Sequence, residues 1–261
     1  MKILAKKFLR GEEGFHSVEL LLFLLIFFGL TMLFQQNANT WVVNAEDIFD
    51  HTIDEILTET GAEKVNIITH SKGGLDARCA ISSLNIGSKV ASLSTVSTPH
   101  HGSKFMNFYC FFPRFLRKII AFFPNLLYRI FGDKKPDFYK VTQEFTTKHF
   151  IKFNEENPDA EGVYYQSFGS VMTRFYGDIL LMIPYLVLKI SDGPNDGMVS
   201  ASSAEWTNFR LLSSAGKRGI SHAASVDMRR RRLTKKKAEG KYSDITDFYI
   251  ELVEGLKNKG F

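Results

Sequence analysis

The sequence predicts an α/β fold in which a parallel sheet carries an inserted helical cap. Helical and strand-like segments alternate from residue 44 to residue 96, an apolar and strongly basic stretch breaks the rhythm over 104–190, and the alternation resumes near Asn195. With 261 residues, the chain has room for one large domain with an insertion. A hydrophobic content of 44% and a charged content of 23% exclude a disordered or collagen-like chain. The net charge of +5 is too small to indicate nucleic acid without a local patch. Two cysteines, Cys79 and Cys110, exclude a disulfide framework and a cysteine-based zinc ribbon. The 24 phenylalanines require a large core, a lipid-facing surface, or both.

The first forty residues stand apart. Lys2, Lys6, Lys7 and Arg10 precede a Leu/Phe run at 20–34, and no charge occurs from 20 to 45. The run is shorter than the ~20 apolar residues of a spanning helix. Three readings stay open: a buried element of the α/β core, a membrane anchor, and a cleaved signal. They leave the chain cytoplasmic or membrane-associated through 20–34, ahead of secreted.

From Asn44 the pattern is regular. Asn44 is an N-cap with Asp47 in the first turn, and Ala45, Ile48, Phe49, Thr52, Ile53, Ile56 and Leu57 share one helical face. Gly61 is the C′ stop. A β-branched run at 65–69, a tight turn at 70–74, a helix over 75–84 and a second strand over 90–96 follow, closed by Ser97-Thr98-Pro99. From 104 to 131 the chain is rich in Phe, Leu and Ile. It carries Lys104, Arg114, Arg117, Lys118 and Arg129 without one acid, and Pro113 and Pro124 are expected to divide it into short helices. A second apolar stretch lies at 179–190, and a C-terminal helix is expected at 244–256. The domain division is an N-terminal apolar segment at 1–40, a core at 41–103 and 191–261, and a cap or lid at 104–190.

Ser71 carries the chemical signal. A serine between a β-branched strand and a helix, followed by small residues, has the layout of a nucleophile elbow. Gly73 fills the second small position of G-x-S-x-G, whereas Thr69 stands at the first. At a helix N-terminus the backbone N–H of Lys72 points to where an oxyanion would form. The competing reading is Ser71 as a plain helix N-cap. An elbow needs a base late in the chain, and His222, in Gly219-Ile220-Ser221-His222-Ala223, is the only histidine in the last hundred residues. Asp196, in the run NDGMVS at 195–200, precedes it and would orient its imidazole. Alone, Asp196 reads as an Asn-Asp-Gly turn and His222 as a surface-loop histidine.

The run 65–103 (VNIITHSKGGLDARCAISSLNIGSKVASLSTVSTPHHGS), the NDGMVS turn and the His222 loop resemble the bacterial triacylglycerol lipase/esterase family of α/β hydrolases. The likeness extends from about residue 35 to 261. It implies an α/β-hydrolase fold and a serine esterase or lipase acting on acylglycerol-type lipid esters. Ser71, Asp196 and His222 would form the catalytic triad, the Lys72 N–H would donate to the oxyanion, and no cofactor or metal is carried over. Family members open with a strand ending in a His-Gly loop; here His16 is followed by Ser17. That departure leaves two alternatives beside the esterase: a weakly active or inactive membrane-associated homologue that binds lipid, and an acyltransferase with the same triad.

The implied partners are a lipid ester and a membrane or lipid-droplet surface, without nucleic acid. His100 and His101 line the pocket or stabilise a turn, the turn being favoured. The 104–131 segment is a lid facing acyl chains or a cap packed inward. Seven bases at 229–237 read as a solvated helix face, or as a contact with anionic headgroups or with nucleic acid, the last disfavoured by the family resemblance. Asp76 and Arg78 are expected to pair with each other, and both cysteines to be small buried residues.

Overall fold

The computed structural model describes residues 51–130, 138–228 and 230–261. The 20–34 run, the Asn44 cap and the His16-Ser17 pair lie outside them. Helix α1 (His51–Thr60) lays Ile53, Ile56 and Leu57 on the core. Gly61, at φ +67°, ends it by donating its N–H to the Leu57 carbonyl at 2.9 Å. Strand β1 (Val65–His70) leads into α2 (Lys72–Ser83), which begins three residues before the expected start. Strand β2 (Val90–Val96) lies where the β-rich run predicts it.

Next come α3 (Lys104–Cys110), α4 (Arg114–Ile130), α5 (Phe138–Glu144) and α6 (Thr147–Glu156). Strand β3 (Tyr164–Ser170) follows, then α7 (Met182–Ser191), the short α8 (Ala201–Ala204), β4 (Arg210–Leu212) and α9 (Ile245–Asn258). Among the described residues the sheet is four-stranded, in the order β1-β2-β3-β4, and every neighbouring pair is parallel.

The two faces of the sheet follow from the period-2 alternation of strand side chains. Ile67 and Leu93 join Ala77, Ala80 and Ile81 of α2 and Ile53 of α1 on one side. Ile68, Val96, Phe168 and Leu212 join Ile245, Phe248 and Leu252 of α9 on the other. Residues 67 and 68, adjacent in sequence, thus serve opposite layers, and all six residues of β1 are buried. A strand covered on both faces reads as a continuous apolar run. The register places His70, Val96 and Phe168 side by side, so β1 and β2 end level and β3 runs two residues further, to Ser170.

Three expectations are corrected here. The 104–190 stretch is not wholly cap, because β3 lies inside it and is hydrogen-bonded to β2. Its mixed run YYQSFGS lacks the β-branched signal that marks β1, and its burial comes from the sheet. Pro124 does not end a helix: α4 continues through it to Ile130. A proline removes one backbone donor, and in a 17-residue helix that loss is spread over a ladder that continues on both sides. The basic tract is not a helix face. Around it, Leu233 packs on the α9 side of the core and the Thr234 N–H bonds the Ser243 carbonyl at 3.1 Å, while Arg230, Arg231 and Lys235 to Lys237 are exposed.

Helix caps behave as their residue types dictate. Asp244 caps α9 by accepting from the Thr246 N–H at 3.1 Å, and Thr146 caps α6 by accepting from the His149 N–H at 3.4 Å. Asp192, just past α7, accepts from the Lys104 N–H at 2.8 Å and the Phe105 N–H at 3.2 Å, which ties α7 to the start of α3. Among the described residues no helix is long and apolar enough to cross a membrane.

Phe248 is fully buried against Phe168 at a centroid separation of 5.0 Å. Phe248→Ala is expected to lower unfolding stability by about 3–5 kcal/mol. Ile119→Ser, on an exposed position of α4, is expected to change it by less than about 0.5 kcal/mol. Urea denaturation followed by circular dichroism measures both.

Candidate active site

Because β1, β2 and β3 are parallel, the chain turns after them come to one edge of the sheet. In open parallel sheets that edge is where ligands bind. Ser71 leaves β1 with φ 54° and ψ −131°, a conformation rare for a residue with a side chain. Two features hold it there. Its N–H bonds the Val96 carbonyl at 2.9 Å, and its carbonyl accepts from the Gly74 N–H at 3.1 Å. A Cβ on Gly74 would fall 2.3 Å from Oγ1 of Thr98, so helix α2 and the turn after β2 approach as closely as a glycine allows. The sequence pattern singles out Gly73 as the small position, and Gly74 beside it makes this close approach. Thr69 is buried and in register with Thr95, so the site usually held by glycine accepts a branched side chain.

The plain N-cap reading of Ser71 does not hold, because its side chain makes no cap hydrogen bond. Instead Oγ lies 3.0 Å from Nε2 of His222. Nδ1 of the same ring lies 2.8 Å from Oδ2 of Asp196. A carboxylate oxygen accepts, so Nδ1 carries the proton, Nε2 offers its lone pair, and the Ser71 hydroxyl donates. Asp196 also accepts from the Met198 N–H at 2.9 Å and the Val199 N–H at 2.8 Å on Oδ1, and from the Ser170 hydroxyl at 3.4 Å on Oδ2. Counting the imidazole, four donors take the place of water around a fully buried side chain. The Asp196 carbonyl accepts from the His222 N–H at 2.8 Å, a second link between the two loops.

Asp196 does not directly follow a strand in sequence. The chain after β3 makes an excursion through α7 and returns. In space the carboxylate nonetheless meets Ser170, the last residue of β3. Gly197, at φ +98°, makes the turn, and a Cβ there would fall 2.7 Å from Leu181. Asn195 pins it by accepting from the Gly197 N–H at 2.9 Å.

Other singled-out residues take structural places. His100 is fully buried, 2.9 Å from the Thr95 hydroxyl, and burial beside Arg78 holds its imidazole well below the usual range. His101 is exposed and bonds the Glu205 carbonyl, which agrees with the turn reading for both histidines. Asp76 pairs with Lys72, four residues back, and not with Arg78. Residues two apart on a helix point away from each other, whereas i and i+4 share a face. Arg78 donates to Asn154 at 2.8 Å and to the Asn157 carbonyl at 3.0 Å, with its guanidinium 3.8 Å over the Trp206 ring. Burial pulls its pKa down to about 10. This group clamps α6 to the turn after β2. Cys79 is buried and Cys110 half-buried, both free. The sequence reading missed His70, Ser97, Ser170 and Ser225 around the site. Only His70 had a signal, its position next to Ser71.

No family profile matches the chain. Over 221 residues, covering 80% of this chain and 62% of the relative, it is 28% identical to triacylglycerol lipase 2 of Saccharomyces cerevisiae. Over 56 residues, covering 22% of this chain and 17% of the relative, it is 45% identical to a triacylglycerol lipase of Pseudarthrobacter phenanthrenivorans. The chain thus spans less than two-thirds of the length of both relatives. Among solved structures, the mature form of a Bacillus licheniformis lipase aligns with a TM-score of 0.49 and 21% identity, covering 72% of this chain and 68% of that one. Over these stretches the chain is similar in sequence to triacylglycerol lipases, and its described residues form a parallel sheet flanked by helices.

Proposed function

We propose that the chain is a serine carboxylic-ester hydrolase of lipase or esterase type, acting on lipid esters. One observation carries this reading: Ser71, His222 and Asp196 form a single hydrogen-bonded relay although 151 and 26 residues separate its members in sequence. Ser71 Oγ attacks the acyl carbonyl while Nε2 of His222 takes its proton. The imidazolium that results is stabilised by Asp196. His222 then returns the proton to the leaving alcohol oxygen, and the acyl group stays on Ser71 until water, activated by the same imidazole, releases it as a carboxylic acid. The backbone N–H of Lys72, the first residue of α2, is the proposed donor to the tetrahedral oxyanion.

The core of the hydrolase comprises the sheet with α1, α2 and α9, and the cap comprises the segments on either side of β3. Large apolar side chains face outward there: Phe111 is 86% exposed, Phe115 67%, Ile179 80% and Ile183 71%. A patch of that kind marks an interaction surface. Lys104 on α3 and Arg114 and Lys118 on α4 are exposed as well. This pairing of apolar and cationic side chains supports adsorption to a lipid surface bearing anionic headgroups, with acyl chains as the substrate.

A fluorophosphonate probe is expected to label the protein at Ser71, and Ser71→Ala to abolish labelling. Asp196→Asn is expected to keep the fold and lower kcat by about 10⁴-fold, because the amide favours the wrong imidazole tautomer. Absence of labelling in the folded wild type would refute the hydrolase reading and favour the lipid-binding homologue. Transfer of the acyl group to an added alcohol in preference to water would favour the acyltransferase. A series of p-nitrophenyl esters is expected to give kcat/KM rising with acyl length, and a preference for acetate would count against lipid esters. Co-sedimentation is expected to be stronger with vesicles containing phosphatidylserine than with pure phosphatidylcholine, to weaken with salt, and to drop in Phe111→Ser/Phe115→Ser.

A further inference from the structure

The residue before the elbow serine is a second histidine, His70, whose ring contacts that of His222. It is 1% exposed, and the two ring centroids are 4.4 Å apart with an interplanar angle of 46°. Nε2 of His70 lies 3.2 Å from Oγ of Ser225, and that same Oγ lies 2.7 Å from the carbonyl oxygen of His222. A carbonyl can only accept, so the single hydroxyl proton of Ser225 goes to His222. Nε2 of His70 must therefore be the donor to Ser225, which fixes His70 as the Nε2–H tautomer. Nδ1 is left as a buried lone pair without a partner. Ser225 is anchored from behind, because the Tyr249 hydroxyl donates to its carbonyl at 2.9 Å. Burial and the neighbouring His222 hold the His70 imidazole well below the usual histidine range.

This geometry supplies what the relay itself lacks. The contacts of His222 to Asp196 and Ser71 act at its two nitrogens, and together they define an axis. Rotation of the imidazole about that axis leaves both contacts roughly intact and is limited by what packs against the ring. His70 packs there. It also reaches the backbone of His222 through Ser225. Being covalently next to Ser71, it carries the nucleophile's strand and the base's loop in one register.

We propose that His70 is a positioning residue that braces His222 twice, by ring contact and through the His70–Ser225–His222 carbonyl bridge. The inference rests on the hydrolase reading above for its catalytic consequence, whereas the bridge stands on the geometry alone. His70→Ala is expected to lower kcat by about 10- to 100-fold, the scale of a misplaced catalytic group, with KM within about twofold and the fluorophosphonate labelling rate reduced in parallel. Ser225→Ala is expected to lower kcat in the same way, and the double variant to be no slower than the slower single variant, because both interrupt one bridge. His70→Gln, which returns an N–H donor near the Nε2 position, is expected to recover part of the loss. His70→Asn, whose donor sits near Nδ1, is not.

Imidazole ¹⁵N spectra of the wild-type protein are expected to show His70 protonated at Nε2, and the His222 signals to shift in His70→Ala. A folded His70→Ala with unchanged kcat, a strictly additive double variant, or a His70 protonated at Nδ1 would overturn the proposal. Should His70→Ala prove unstable, the Ser225→Ala kinetics and the wild-type tautomer decide. If the wild type neither hydrolyses esters nor labels while its spectra show the Nε2–H tautomer and the coupling to His222, the bridge is supported and the hydrolase reading fails.

Discussion

The backbone at Ser71 is held where an ordinary residue rarely sits, and the rest of the site is arranged around that fact. A non-glycine residue in such a conformation costs about 1–3 kcal/mol and persists only when its surroundings over-determine it. Here the ladder bond to Val96, the turn closed by Gly74 and the contact of α2 with Thr98 supply those surroundings. Straightening the turn would carry Oγ away from His222 and into the position of a helix cap. The strain thus keeps the hydroxyl at the sheet edge and leaves the first N–H groups of α2 facing the same space.

The parallel sheet converts this local strain into a convergent site. β1 and β2 end level at His70 and Val96 and β3 runs on to Ser170, so Ser71, Ser97 and Ser170 emerge at the same edge of the sheet. Ser97 and Ser170 lie 3.0 Å apart at their hydroxyls, and Ser170 reaches Asp196. Since Ser170 donates to the carboxylate, the Ser97 hydroxyl must donate to Ser170, and a row of small polar residues buries the acid without an unpaired atom. The apolar layers beneath, with Phe168 and Phe248 on one face and Ile67 and Leu93 on the other, hold the strand ends against one another. A site whose parts come from three strand ends and two loops requires that rigidity.

Much of the fold could be read in the chain because its signals were local. Val90–Val96 is β-rich and bounded by turn residues, Gly61 stops a helix with the geometry glycine allows, and Asp244 caps α9. Strand β3 was hidden, since YYQSFGS has neither alternation nor β-branching and becomes a strand only by docking on β2. The continuity of α4 through Pro124 and the irregular path of the basic tract were likewise not legible in the local residue types. At the site, Ser71 announced itself through its neighbours, whereas Ser170, Ser225 and the role of His70 left no trace, because a serine has no sequence signature for a partner far away in the chain.

By itself the sequence determined the residue types, the order serine, aspartate, histidine, and the strand–turn–helix setting of Ser71, all of them consequences of local propensity and spacing. Tertiary structure alone decided that the three side chains meet, that Asp196 reaches the end of β3 after a long excursion, and that His70 packs against His222 and reaches Ser225. Hydrogen bonds act over about 3 Å. The chain separations they bridge here run to more than a hundred residues, and only the packing of the sheet layers closes that gap.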